Sequence, residues 1–312
     1  MIRLPTSFEQ SIARAGELLR AGGTDLMERR ELGLASGDIV DLRDVEAGDR
    51  IDFDPSSGAR LGAKLTIATL SKHPIVREHY PALALAAGAL ATPEIRTVAT
   101  LAGGLLQRSR CWYYRNPSVR CLKSGGTECP ARAGDHLLHV CFDLGPCVAP
   151  HPSTLGMALL GYDAQIGVLG GRDRSIADLY GDGRSVADHQ LGEGEVLCEV
   201  RLPPPVAGER GGYRRAIARA RAEWPLIEVS TRLVIVEAKV ALARVAIGGV
   251  APIPLRLAEV EDALLGQGCD DATLERAAAL STRRCKPLPM TGYKVDMLPS
   301  AVLDALVHAR GS

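Results

Sequence analysis

One stretch constrains this chain more than any other: the segment from Thr100 to Thr154. It holds five of the eight cysteines, Cys111, Cys121, Cys129, Cys141 and Cys147, among many Gly, Pro and Arg residues. A segment this long and this poor in apolar residues buries too little surface to offset the entropy of ordering its backbone. It needs an internal staple, and clustered thiols can supply one. From the residues alone three staples stand open. Disulfides suit a loop-rich, cysteine-dense segment in an oxidising compartment, but Met1–Gln10 has none of the features of a secretory signal. Zinc usually takes its thiolates in close pairs such as C-x2-C, and the segment has no such pair. An iron–sulfur cluster is a large template and accepts four thiolates from well-separated positions.

Composition narrows the setting. A chain of 312 residues is long enough for two domains or three small ones. Lys+Arg and Asp+Glu both total 37, so no net charge argues for nucleic acid or an anionic membrane. No apolar run approaches the length needed to span a bilayer, so no membrane insertion is expected. Aromatic residues make up 4% of the chain, which leaves Ala, Val, Leu and Ile to build the core.

Towards the N-terminus, Ser7 and Gln10 form a capping-box pair ahead of Ile12, Ala15, Leu18 and Leu19. This pattern predicts an amphipathic helix over residues 7–20. Arg20 and Ala21 lead into Gly22-Gly23-Thr24-Asp25-Leu26. Adjacent glycines let main-chain N–H groups converge on a phosphate, and residues 26–30 start a short helix. The same turn also suits an ordinary helix-to-strand connection. Strands are expected at 38–42 and 61–67, with Asp41 and Asp44 at solvated edges. Helices are expected at 81–90, 155–160, 175–180, 257–265, 273–281 and 299–309. Further strands are expected at 163–169 and 196–202, and a hairpin joins 233–236 to 240–247. Cys141 and Cys198 are expected as small core residues, and Cys269 and Cys285 have no partner pattern and are assigned no function.

The runs TLAGGLLQRSRCWYYR, CLKSGG and GPCVAPHPS resemble the FAD-binding (medium) subunit of the molybdenum hydroxylases, the xanthine dehydrogenase and aldehyde oxidoreductase family. The likeness is strongest to bacterial aldehyde oxidoreductase FAD subunits with an additional [4Fe-4S] cluster. That branch has a C-x9-C-x7-C-x17-C pattern, matched here by Cys111, Cys121, Cys129 and Cys147. The resemblance covers nearly the whole chain and raises iron–sulfur well above zinc.

The resemblance implies an α+β fold. A two-lobed FAD-binding domain of the PCMH type is expected over 1–174: a small βαβ-like lobe (1–55), then a mixed sheet with helices (56–174) carrying the iron–sulfur loop 108–150. An α+β C-terminal domain of the CO dehydrogenase flavoprotein type, with a three-stranded antiparallel sheet, is expected over 175–312. For the cofactor site it implies a first pyrophosphate loop at Arg20–Leu26 and a second flavin loop at Thr100, Leu101, Ala102, Gly103 and Gly104. The family's T-[IL]-G-G-N here has Ala102 for its first Gly and Gly104 for its Asn. It further implies His151 and Ser153 of H-P-S-T (the family has H-P-S-D), a flavin-proximal Glu223-Trp224, and Lys294 near the isoalloxazine edge, with Trp224 as plain core and Lys294 as a solvated surface charge the competing readings.

The implied function is electron transfer through one FAD and one [4Fe-4S] cluster to an external acceptor. The implied partners are a large molybdopterin subunit, where substrate is oxidised, and a small [2Fe-2S] subunit. Two alternatives are a subunit of a reductive enzyme like 4-hydroxybenzoyl-CoA reductase and a zinc-stapled, non-redox nucleotide-binding scaffold. The location implied is cytoplasmic, or periplasmic if a partner carries the export signal.

Overall fold

The computed structural model describes residues 1–220 and 222–312. Three sheets organise them, and the fold is α+β as expected. The first is a parallel sheet of β1 (Ile2–Arg3), β2 (Leu18–Arg20) and β3 (Ile39–Asp41) in the order β1-β3-β2. It closes over a small core of Val40, Leu42 and Val45, against which Phe8, Leu19 and Ala21 pack.

The helix expected over 7–20 is absent. The Ser7–Gln10 cap does form, with Gln10 N donating to Ser7 Oγ at 3.4 Å, but only the 3-10 turn Glu9–Ser11 follows it. Gly16 then turns the chain at φ +81, and Leu18–Arg20 pairs with Ile39–Asp41. Two apolar neighbours, Leu18 and Leu19, fit a helix face or a strand. Parallel pairing to the buried β3 decides for the strand, a tertiary choice that local propensity does not contain. Asp41 is also buried rather than solvated: it accepts from Arg20 at 2.6 Å and from Arg43 at 2.6 Å. Burial works to raise its carboxyl, and the two guanidiniums overcome it and hold the group below the usual range.

The second sheet is antiparallel, in the order β4-β5-β8-β6-β7: β4 (Ile51–Asp54), β5 (Gly58–Gly62), β6 (Gln165–Leu169), β7 (Arg174–Ser175) and β8 (Val196–Leu202). Helices Ile67–Lys72, Pro74–His79, Pro81–Ala89, Pro93–Val98, Leu101–Leu106 and Thr154–Gly161 surround it, and their apolar faces form the largest core. Thr66 and Thr100 cap two of these helices, each accepting from the N–H three residues on. The strand expected at 61–67 thus ends at Gly62, and Ile67 begins a helix.

Ile51–Asp54 pairs with Gly58–Gly62, a hairpin that spans position 55. Val196–Leu202 sits between β5 and β6 in the same sheet. Ladder partners far apart in sequence, such as Arg60 and Arg201, leave no local trace.

The C-terminal domain has four antiparallel strands rather than three: β9 (Arg210–Ala216), β10 (Ile227–Val236), β11 (Lys239–Gly248) and β12 (Leu255–Arg256), in the order β12-β11-β10-β9. Arg-rich β9 and the two-residue β12 carry little apolar alternation, so only the central hairpin reads as strand in the sequence. Helices Ala258–Leu264, Asp271–Ala279 and Gly292–Gly311 cover one face and enclose a second core. Among the described residues no helix is long and apolar enough to cross a membrane.

Candidate functional site

The sheet edges and turns of the two N-terminal lobes line an open cleft of about 380 Å³. Ala21, Gly22, Gly23, Thr24, Asp25 and Leu26 line one side, and Thr100, Ala102 and Gly103 line another. These two small-residue turns are therefore brought together, although about 80 residues separate them in sequence. The contact is tight. A Cβ on Gly22 would lie 2.0 Å from the carbonyl oxygen of Val98, so only glycine permits this approach. Gly23 has φ +75, a left-handed angle that side chains disfavour.

Asp25 has a role the sequence does not announce. Its carboxylate reaches Arg115 at 2.6 Å, Arg110 at 3.2 Å and Arg29 at 3.8 Å, and accepts from the N–H of Arg108 at 3.2 Å. The glycine turn is thereby tied to the first residues of the cysteine-rich loop. Arg110 also lies over the ring of Trp224, 4.8 Å from its centroid. Burial pushes the Arg110 guanidinium below its usual value, with Asp25 working against that.

Other predicted residues lie off the cleft. Arg20 turns to Asp41, Leu101 is fully buried in the core, and a Cβ on Gly104 would meet Leu155 at 3.1 Å. His151 is buried. Its Nδ1 accepts from the Ser153 N–H at 3.2 Å, so Nε2 carries the proton and donates to the carbonyl of Asp188 at 3.1 Å. Burial pushes its pKa down to about 4. Ser153 caps helix Thr154–Gly161, accepting from Gly156 N at 2.9 Å. Thr154 donates to the buried Glu228, whose carboxyl is pushed up by burial and also accepts from Tyr213 at 3.0 Å. Glu223 accepts from the N–H of Arg219 at 3.0 Å, and Trp224 is half-exposed rather than core. Lys294 is wholly buried rather than a solvated charge. Its Nζ donates to Gly249 O at 2.9 Å and Leu138 O at 3.2 Å, and burial pushes its pKa down to about 8.

Sequence reasoning missed the third wall of the cleft, the approach to β8. His189, Leu191, Gly192, Glu193, Gly194 and Glu195 line it, as does Arg108. Glu195 receives the Gly192 N–H at 2.7 Å and Arg174 at 2.7 Å, which fixes the turn. Burial pushes the His189 pKa down to about 3. The Gly-Glu-Gly run was the available signal, but only sheet pairing carries it to the other two turns.

The cysteine-rich loop has only three short helical turns, Trp112–Arg115, Leu122–Ser124 and Pro130–Arg132. Its own core is small: Tyr113, Ala131, Val140 and Val148. Cys111, Cys121, Cys129 and Cys147 all line one narrow pocket beside this core, with Lys123, Tyr113 and Tyr114. Cys141 lies elsewhere, buried in the C-terminal core as expected of a small apolar residue. A hydrogen bond from Cys147 holds the Cys129 thiol down to about 5, and the same bond raises that of Cys147. Cys111 Sγ lies 3.3 Å from His139 Nε2, and Ser124 Oγ lies 3.6 Å from Cys121 Sγ. Among the described residues no three His, Cys, Asp or Glu side chains converge closely enough to hold a single metal ion.

Comparison with known proteins gives a consistent picture. The profile of the family described as the FAD-binding domain in molybdopterin dehydrogenase matches residues 11–205. That of the CO dehydrogenase flavoprotein C-terminal domain matches residues 213–306. The chain is 34% identical over 257 residues to the aldehyde oxidoreductase FAD-binding subunit PaoB of Escherichia coli (strain K12), covering 80% of this chain and 79% of the relative. It is 26% identical to the nicotine 6-hydroxylase medium subunit of Paenarthrobacter nicotinovorans, covering 86% and 78%. In fold it is similar to a chain of quinoline 2-oxidoreductase from Pseudomonas putida 86, with TM-score 0.78, 19% identity and coverage of 99% and 96%. A chain of carbon monoxide dehydrogenase from Hydrogenophaga pseudoflava has TM-score 0.78, 22% identity and the same coverage.

Proposed function

The chain belongs to the FAD-binding subunits of the molybdenum hydroxylases, and from that premise we propose that it binds FAD in the cleft between its two N-terminal lobes and serves as the electron-transfer subunit of a larger enzyme. One observation carries the placement: the Gly22-Gly23 turn meets the 98–103 segment at a spacing that admits no side chain. Main-chain groups of Ala21–Leu26 and of Thr100, Ala102 and Gly103 would hold the cofactor where their backbones are bare. The changes to Ala102 and Gly104 leave such main-chain contacts in place. Arg20, Leu101, Gly104, His151 and Ser153 would act from behind, by fixing the strand, helix and cap that present those turns. Trp224 would act through Arg110, which lies over its ring, Glu223 would hold the Arg219 N–H, and Lys294 would hold the 249 turn rather than touch the flavin. FAD, once bound, accepts electrons singly and releases them in pairs.

Cys111, Cys121, Cys129 and Cys147 would hold a [4Fe-4S] cluster in the pocket that they share. The fit is carried by four thiols facing one pocket beside a core too small to order the loop by itself. Cys129 and Cys147 would exchange their mutual hydrogen bond for ligation. The four cysteines lack the close C-x2-C pair that structural zinc usually takes, which favours a cluster over a zinc staple.

Substrate oxidation would then take place on a molybdopterin-binding subunit, with [2Fe-2S] centres on a small subunit leading to this chain and an external acceptor beyond it. The relatives' descriptions as an FAD-binding subunit and a medium subunit support an assembly of this kind. The test is a visible spectrum of anaerobically purified protein, with iron, zinc, acid-labile sulfide and released flavin measured on one sample. Flavin with about four irons and four sulfides per chain is expected. Zinc without flavin would refute both assignments.

A further inference from the structure

Two cysteines outside the quartet stand side by side. A parallel bridge pairs Phe142 with Lys286, and Lys286 N donates to Cys141 O at 2.8 Å. Cys141 and Cys285 therefore occupy adjacent positions one residue before the bridge, with their side chains on the same side. Paired strands lie about 4.8 Å apart, inside the roughly 4.4–6.8 Å Cα separation that a disulfide spans. Each thiol is the strongest influence on the other's acidity, lowering that of Cys141 and raising that of Cys285.

The surroundings hold this pair in place. The N–H groups of Cys141 and Phe142 both donate to Val250 O, at 2.9 and 3.0 Å, so the backbone of Cys141 is pinned on two sides. Cys285 is held by its N–H to Thr282 O at 2.9 Å. Cys141 is fully buried, and Cys285 is half-buried at the edge of the same core. Neither remaining cysteine is so placed: Cys198 donates to Val196 O at 3.4 Å, and Cys269 packs against the C-terminal core.

We propose that Cys141 and Cys285 form a peroxide-oxidisable dithiol whose disulfide clasps the cysteine-rich loop to the C-terminal domain. Cys141 is the attacking sulfur, because the hydrogen bond from Cys285 and the buried Lys294 ammonium favour its thiolate. Hydrogen peroxide is small enough to reach a sulfur that larger disulfide reagents cannot. The Cys141 thiolate displaces hydroxide from peroxide and becomes a sulfenic acid. The Cys285 thiol then condenses with it, forming the S–S bond and releasing water. In sum two thiols lose two protons and two electrons, and one peroxide is reduced to two waters. The bridge would join segment 138–142, just ahead of Cys147, to the link between helices Asp271–Ala279 and Gly292–Gly311.

The test uses the full chain as purified, exposed to graded hydrogen peroxide, unfolded in guanidinium with N-ethylmaleimide, digested without reduction and mapped by mass spectrometry. The expected product is a cross-linked peptide pair containing Cys141 and Cys285, two hydrogens lighter than the sum of the free peptides. It forms at peroxide doses that leave Cys198 and Cys269 alkylated, and a dithiol reductant reverses it. In Cys285→Ser the cross-link is lost and Cys141 is trapped as the sulfenic acid by dimedone present while the chain is unfolded. Cys141→Ala serves as the second variant, and there Cys285 should resist the same doses. Alkylation of both thiols at doses that oxidise Cys198 or Cys269 would overturn the proposal, as would a bridge confined to Cys129 and Cys147. Neither readout depends on flavin or iron, so it separates from the cofactor assignments.

Discussion

Gly22→Ala is the most informative single substitution in the cleft. Its Cβ would sit 2.0 Å from Val98 O, 2.7 Å from Val98 C and 3.1 Å from Ala99 Cα, all main-chain atoms that no rotamer can move. Ordinary contact needs about 3.4 Å, so the 20–23 turn and the 97–100 segment must separate by more than about 1 Å. Overpacking of this kind costs about 1–3 kcal/mol. Expressed in cofactor affinity, at 1.4 kcal/mol per tenfold, that is about a five- to 140-fold weaker hold on flavin. The assay is equilibrium titration of apoprotein with FAD by flavin fluorescence, with far-UV circular dichroism to show that the fold persists. Gly88→Ala is the control: its Cβ meets only Ser71 Cβ at 3.8 Å inside helix Pro81–Ala89, and flavin binding should not change. Unchanged FAD affinity in folded Gly22→Ala would refute the claim that the junction of these two turns forms the cofactor site.

Three further outcomes follow from the same contacts. Cys121→Ser should lose iron and sulfide together and render residues 108–150 sensitive to protease; full iron content would remove Cys121 from the ligand set. Arg232 and Glu209 form a buried pair at 2.6 Å that also reaches Gly161 O at 2.7 Å and stacks on Tyr162 at 3.9 Å, joining the second lobe to the C-terminal sheet. Arg232→Met should cost about 3–5 kcal/mol, because Glu209 is left buried and unpaired; a melting temperature within a degree of wild type would contradict this. His151 is held neutral, its pKa lowered from 6.5 to about 4, so the unfolded chain binds the extra proton and stability falls as pH drops from about 6.5 towards 4. The loss is at most about 3.4 kcal/mol, and His151→Asn should flatten that part of the urea-denaturation pH profile. A profile as steep as wild type would place the titration elsewhere.

Much of the local structure is legible in the residues themselves. Helix Pro81–Ala89 follows from its Ala and Leu run after Pro81, strand Val196–Leu202 from its alternation before Pro203, and the hairpin around Glu237-Ala238 from two β-branched runs with a polar turn. The four cysteines that share a pocket are readable from their spacing. What stayed hidden has a common cause. Leu18–Leu19 carries a pattern that suits helix or strand, and only Val40 across the ladder selects the strand. Lys294 is a charge in a helix until Gly249 and Leu138 surround it.

The sequence by itself determined the family, the small-residue turns and the thiol spacing, because each is written in adjacent residues whose backbone freedom or chemistry needs no partner. Only the tertiary structure decided which of those residues meet. Long-range pairing brought the 189–197 wall to the cleft and set Asp25 as the link to the cysteine loop. It also placed Cys141 beside Cys285, although 144 residues separate them in sequence. Pairing energies of this kind depend on contacts between distant segments, and no local window of residues contains them.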